Sequence, residues 1–357
     1  MYDPWLLTAL SGVTAAVAIL ILRVAPVARF FQDQPTRPNA MHTSPVPRIG
    51  GLAMLLAVAL LIGFLPRIPS LLGAALLLAG ALALISVADD LFHLSPWLRL
   101  AAHGAAATLM VLLWVSGIAL SGLTGGGVFL RLLDPLFVAI VILAIAWMTN
   151  VFNFMDGANG LAGSMAAVGF GAYALAAGAS PIATQAPALT SLCAIIAGAA
   201  IGFLFFNFPR ARVFMGDAGS IPLGFLAATF GIHGTLAHIW AWWFPLLVFS
   251  PFWVDASVTL GKRIFARKKI WHAHREHYYH RLILGGWSHA RTALAYFFLM
   301  LATSLSALFL QMKFATATTV FVTVLAMWVV IYGLVILILE RRFATRKNIP
   351  PEPTPIR

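Results

Sequence analysis

The chain has 357 residues, of which 61% are hydrophobic and 10% charged. A soluble globular chain carries about 25% charged residues, so this one has too few charges to cover a water-exposed domain. Disordered, fibrous and disulfide-built chains are excluded too, the last by the single Cys193. In so apolar a chain the net charge of +12 reads as the inner edge of a membrane protein rather than as a nucleic-acid footprint.

A membrane helix needs about 20 mostly apolar residues. Eleven such segments follow one another: 5–25, 49–65, 69–88, 98–119, 135–154, 161–179, 187–206, 219–236, 240–260, 292–311 and 315–339. Gly and Pro interrupt several, and ten spans is the alternative count. The pattern predicts an all-α, polytopic membrane protein. The first segment is not read as a cleavable signal, because only Met1 to Pro4 precede it and the basic residues come after it. With the N-terminus outside and the C-terminus cytoplasmic, all 23 Lys and Arg except Arg67, Arg131 and Lys313 fall inside. That asymmetry predicts the orientation and accounts for most of the positive charge without a ligand. The predicted organisation is one integral-membrane catalytic domain over 1–340. Its cytoplasmic loops lie near 26–48, 89–98, 155–160, 207–218 and 261–291, and a basic, Pro-containing cytoplasmic tail covers 341–357.

Acids do not follow the positive-inside rule, so their inner-side bias needs another cause. Glu276, Glu340 and Glu352 have basic neighbours and read as solvated charges. Asp89, Asp90, Asp156 and Asp217 stand instead at the inner ends of apolar segments, in nearly uncharged stretches. A carboxylate at that boundary must be solvated, paired or bound to a cation. Helix capping accounts for any one of them, Asp217 included; it accounts less well for four at one depth. Such carboxylates suit Mg²⁺, which takes oxygen ligands and shares them with substrate phosphates. Zinc is disfavoured, since no Cys lies on that face.

Five segments carry the polar residues. The first runs from Asp33 to Gly51. Its prolines favour extended chain, and Gly50 and Gly51 allow close backbone approach at the start of helix 2. Arg48 there suits a phosphate and equally the positive-inside pattern. The second holds Asp89, Asp90 and His93, which share a face if the helix continues. The third, Asn150 to Gly160, is dense in hydrogen-bonding side chains (Asn150, Asn153, Asp156, Asn159) and suits a polar head group or base. The fourth, Asn207 to Ser220, puts an amide, arginines, the Phe214 ring and Asp217 before a helix N-terminus, which favours anions. In the fifth, His274, His277 and His280 recur every three residues beside Arg281. That spacing fits neutralisation of a diphosphate or an amphipathic interfacial helix on anionic lipid.

Together these segments resemble the polyprenyl-phosphate N-acetylhexosamine-1-phosphate transferases. This family includes the phospho-N-acetylmuramoyl-pentapeptide translocase and the transferases that initiate O-antigen synthesis. The resemblance runs in order from Asp33 to Arg281, and the histidine segment is more similar to the O-antigen branch. It implies transfer of a sugar-1-phosphate from a UDP-N-acetylhexosamine to undecaprenyl phosphate at the cytoplasmic face of the bacterial inner membrane. The products are UMP and the undecaprenyl-diphosphate sugar, and the implied cofactor is Mg²⁺, with Mn²⁺ as an alternative. It also implies residue roles. Asp89, Asp90, Asp156 and His277 are catalytic, with Asp89 the base toward the lipid phosphate, and Asp90 and Asp217 are metal ligands. Asn150 and Asn153 lie near the sugar nucleotide, Asn207 and Phe214 at the uracil, and Arg48, Asn159, His280 and Arg281 among the substrate-binding residues. The chain departs from the family pattern at His93 and Asn159, where Asp is usual, and at Tyr279 within the histidine motif. A homodimer is compatible with this reading, and no nucleic-acid partner is expected. The competing class is a transporter with an inner-face cation site. Its coupling residues would sit near the bilayer midplane, often among repeats, and the sequence shows no clear repeat.

Overall fold

The computed structural model describes residues 3–33, 45–120, 134–180, 186–269, 274–313 and 318–347. Its helices are α1 (Pro4–Val24), α2 (Gly50–Ile62), α3 (Ser70–Phe92), α4 (Pro96–Leu120), α5 (Pro135–Phe154), α6 (Leu161–Gly178), α7 (Ala186–Asn207), α8 (Asp217–Leu236), α9 (Trp243–Val248), α10 (Ser250–Phe265), α11 (Tyr278–Leu284), α12 (His289–Lys313) and α13 (Thr318–Lys347). A two-residue antiparallel ribbon, β1 (Gln32–Asp33) with β2 (Val46–Pro47), joins α1 to α2. Each of the eleven expected apolar segments is mostly helical over its described residues. Among the described residues eight helices are long and apolar enough to cross a membrane, and α2 is a shorter apolar one. The protein is thus an all-α, polytopic membrane protein.

Local chemistry starts these helices. Asp3 and Asp134 each accept the backbone N–H two residues on at 2.9 Å, and Pro4 and Pro135 follow at the first helical position. Asp3 and Asp134 are therefore both helix caps. The span expected over 240–260 is two helices broken at Phe249. Pro251 has no N–H to give to Leu247, and the Ser250 hydroxyl donates to that carbonyl instead at 2.7 Å.

Packing follows the logic of a lipid solvent, in which close approach of backbones replaces the hydrophobic drive. On α1 the buried residues Leu7, Ser11, Ala15, Ala18 and Ile19 form one stripe, while Trp5, Val13, Val17 and Ile21 point outward. The stripe meets α7, where a Cβ on Gly198 would lie 2.2 Å from the Thr8 carbonyl oxygen, and one on Gly202 2.2 Å from that of Gly12. The Ser11 hydroxyl donates to Ile195 O at 2.7 Å across the same seam. With α6 on its other side, α7 is the buried centre of the bundle, whereas α13 is nearly all exposed.

Three expectations change. α3 stops at Phe92, and His93 turns left-handed (φ 52°), so it does not continue the face of Asp89 and Asp90. Position 340 is not a break, because α13 runs on to Lys347. Glu340 and Glu276 are ion-pair centres rather than solvated charges. The middle of the first segment, 34–44, and the tail beyond Lys347 lie outside the described residues.

Candidate active site

Backbone contacts assemble the site. The Phe214 N–H donates to Pro47 O, Gly50 N–H to Phe214 O and Gly51 N–H to Met215 O, each at 2.9 Å. This lattice lays the start of α2 on the start of α8, where a Cβ on Gly51 would sit 2.4 Å from Gly219 Cα. Arg48, Phe214 and Asp217 are thereby brought together. The ribbon pairs Asp33 with Val46 and returns Asp33 to Arg48. The three-residue turn after α3 folds α4 back, so that Arg99 in the first turn of α4 faces Asp89 in the last turn of α3.

One cavity of about 940 Å³ results. Its lining includes Arg48, Asp89, Asp90, Asn150, Asn153, Asp156, Asn159, Asn207, Phe214, Asp217, His277 and His280. Of the residues selected from sequence, only Arg281 stands outside that lining. Two arginines neutralise the acids. Arg48 bridges Asp33 Oδ1 at 2.5 Å and Asp90 Oδ1 at 3.1 Å. Nη1 of Arg99 lies 2.9 Å from Asp89 and 3.5 Å from Asp217. Adjacent carboxylates repel, and each member of the Asp89–Asp90 pair has its own guanidinium.

On the opposite wall, the Asn153 amide donates to Asp217 Oδ1 at 2.8 Å and to Ser220 at 3.3 Å. Desolvation, with the nearby Asp217 charge second, pushes the Asp156 carboxyl well above the usual carboxylate range. Asn150 spends its NH₂ on Ala146 O at 2.7 Å. Asn207 is spent at both ends: it accepts the Gly160 N–H at 2.5 Å and donates to Val213 O at 2.9 Å. It therefore ties the polar loop to the Phe214 segment while lining the cavity. Asn159 donates to Pro209 O at 3.3 Å, and its N–H faces His289 Nδ1 at 3.4 Å.

The histidine rings pack on one another and on Tyr279. His277 stacks on His274 with centroids 4.9 Å apart, and His280 packs on Tyr279 at 4.0 Å. Only His280 lies within α11; His277 caps it, and His274 precedes it. Burial lowers the pKa of His274 to about 4 and that of His280 to about 3, so both are neutral at pH 7. Arg281 turns away to Glu340 at 2.5 Å and lies over the Tyr278 and Phe343 rings. Glu340 also accepts from Lys262 and from the Tyr278 hydroxyl.

Sequence reasoning missed several lining residues: Arg99, His103, Trp97, Trp147 and His289. Arg99 was legible from the short turn that pairs it with Asp89, and His103 from its place one helical turn further on the same face. Trp147, inside an apolar run, and His289, after a loop, carry no such signal.

A family model described as glycosyl transferase family 4 matches residues 72–235, spanning the Asp pair, the polar loop and Asp217. The decaprenyl-phosphate N-acetylglucosaminephosphotransferase of Mycobacterium tuberculosis is 30% identical over 320 residues, covering 80% of this chain and 78% of that one. This chain belongs to glycosyl transferase family 4. Other relatives of this family 4 transferase carry related names. The probable undecaprenyl-phosphate N-acetylglucosaminyl 1-phosphate transferase of Bacillus subtilis is 25% identical, with 78% of this chain and 77% of that one covered. The phospho-N-acetylmuramoyl-pentapeptide-transferase of Levilactobacillus brevis is 28% identical, with 74% and 83% covered. The expected resemblance is therefore confirmed at the level of the family, the polyprenyl-phosphate hexosamine-1-phosphate transferases.

Proposed function

We propose that the protein transfers N-acetylhexosamine-1-phosphate from a UDP-sugar to undecaprenyl phosphate at the cytoplasmic face of the inner membrane, giving the undecaprenyl-diphosphate sugar and UMP. The step begins O-antigen or a related envelope polysaccharide. The observation that carries this reading is the shared cavity in which the Asp pair, Asp217, the polar loop and the histidine segment meet. The names of the relatives support the lipid and sugar-phosphate chemistry.

An oxygen of the lipid phosphate attacks the sugar-bearing phosphorus of the UDP-sugar. That P–O bond forms as the bond from the same phosphorus to the bridging oxygen breaks, and UMP leaves with that oxygen. Asp89 takes the proton of the lipid phosphate. Arg48 and Arg99 supply the fixed positive charge that lets two anions approach, because His274 and His280 are neutral. The Phe214 ring is assigned to the uracil, with Asn207 holding its loop. Among the described residues no three His, Cys, Asp or Glu side chains already form a metal cluster. The oxygen donors Asp90 and Asp217, reached from two helices, fit Mg²⁺ bound through one or two carboxylates and shared with substrate phosphates, rather than a closed cage. When bound there, Mg²⁺ supplies charge neutralisation and orientation of the diphosphate.

Membranes containing the protein, incubated with labelled undecaprenyl phosphate and a panel of UDP-sugars with and without Mg²⁺, test the proposal. A lipid-linked product with one UDP-N-acetylhexosamine, dependent on the metal, is expected. No product with any sugar refutes it.

A further inference from the structure

Asp255 on α10 has no role in the reaction above, yet it is 4% exposed and surrounded by donors. Its Oδ1 accepts the Tyr278 N–H at 2.9 Å and the Thr259 hydroxyl at 3.2 Å. Its Oδ2 accepts the Tyr296 hydroxyl at 2.5 Å and the Tyr279 N–H at 3.3 Å. The remaining neighbour is Nδ1 of His277, 3.4 Å from Oδ1. That nitrogen is buried and makes no hydrogen bond among the described residues, so the Asp255 carboxylate at ion-pair distance is the partner it faces. A buried carboxylate must be paired to be tolerated, and here α10, α11 and α12 all contribute donors. With Nδ1 turned to Asp255, Nε2 is the ring nitrogen left for the cavity that His277 lines.

We propose that Asp255 is a positioning residue that holds His277 by Nδ1 and so fixes its tautomer and the direction of Nε2 toward the reacting diphosphate. The proposal rests on the transferase reading only for what Nε2 meets. A carboxylate behind a working imidazole sets which nitrogen carries the proton. The other groups around His277 do not offer that: His274, Tyr279 and His280 contact it as rings on its own segment, and the α5 neighbour is the apolar Phe154. Tyr296 of α12 reaches Asp255 and supports the carboxylate from behind.

Two measurements on the full-length protein decide the matter. The first is a double-mutant cycle with Asp255→Asn and His277→Gln. Asp255→Asn alone is expected to lower kcat by roughly 10- to 100-fold, with KM for the UDP-sugar unchanged. In the His277→Gln background the same change is expected to cost nothing further, since no imidazole remains to be oriented. An equal loss in both backgrounds overturns the proposal. The second is the ¹⁵N NMR signature of the His277 imidazole, identified by its disappearance in His277→Gln. A proton on Nδ1 in the wild type, lost or redistributed in Asp255→Asn, is expected; an unprotonated Nδ1 in the wild type overturns the proposal. The wild-type spectrum decides the question even if Asp255→Asn does not fold. It does so without turnover as well, so failure of the transferase assay and failure of this proposal are told apart.

Discussion

Arg99 and Asp89 meet across the turn between α3 and α4, Nη1 to Oδ2 at 2.9 Å. The same nitrogen reaches Asp217 at 3.5 Å, so one guanidinium joins the proposed base to the proposed metal ligand. Asp89→Asn and Asp217→Asn should each lower turnover by roughly 10²- to 10⁴-fold while leaving the fold intact, as judged by an unchanged thermal midpoint in detergent. Near-normal turnover in either removes it from the mechanism.

Arg99→Gln should act on binding of the anionic substrate. A charge-assisted hydrogen bond is worth about 1.5–3 kcal/mol, which is roughly 10- to 100-fold in kcat/KM. Initial-rate kinetics against UDP-sugar measure this. An unaltered kcat/KM would leave the phosphate-facing charge to Arg48 alone.

The buried histidines give the protein a pH-dependent stability. Folded His280 titrates near 3 against an ordinary value of 6.5, so between those values the unfolded chain binds a proton that the folded one refuses. Stability therefore falls as pH drops below about 6.5. At pH 5 the His280 contribution is about 2 kcal/mol relative to pH 7. The thermal midpoint should be lower at pH 5 than at pH 7, and His280→Gln should reduce that difference. An equal pH dependence in the variant would locate the effect elsewhere.

The α1–α7 seam predicts a sharp steric contrast. Gly202→Val places its Cβ against the Gly12 carbonyl and should lower stability by about 1–3 kcal/mol or more. Gly80→Ala meets nothing within 4 Å and should be neutral or slightly stabilising. Thermal unfolding of the two variants compares them directly.

Cys193 is buried, which gives a clean background for testing sidedness. Lys268 and Lys313 are both exposed. A membrane-impermeant thiol reagent should label Lys313→Cys on intact cells and Lys268→Cys only after permeabilisation. The reverse pattern would invert the proposed topology.

Much of this molecule is legible in its amino-acid sequence. A lipid solvent demands long apolar runs, and those runs are visible residue by residue. The carboxylates at their ends stand out because charge is so scarce around them. What stayed hidden depends on contacts between distant segments. Asn207 reads as a base-recognising amide, and only the fold shows that its two ends also close on Gly160 and Val213. Arg281 reads as a cavity cation until Glu340, far along the chain, draws it away. Asp255 sits in an apolar run with no motif, and its importance lies in donors from residues 278, 279 and 296.

The last helix buries little of itself, but through Glu340 it accepts from Lys262, Tyr278 and Arg281 at once. A reporter fused after Lys347 leaves that junction untouched, whereas truncation before Thr318 strands three donors around the histidine segment. The C-terminal span thus works as a tether whose removal is felt at the far side of α11, and engineering of this enzyme should keep that helix at least through Phe343, whose ring also holds Arg281.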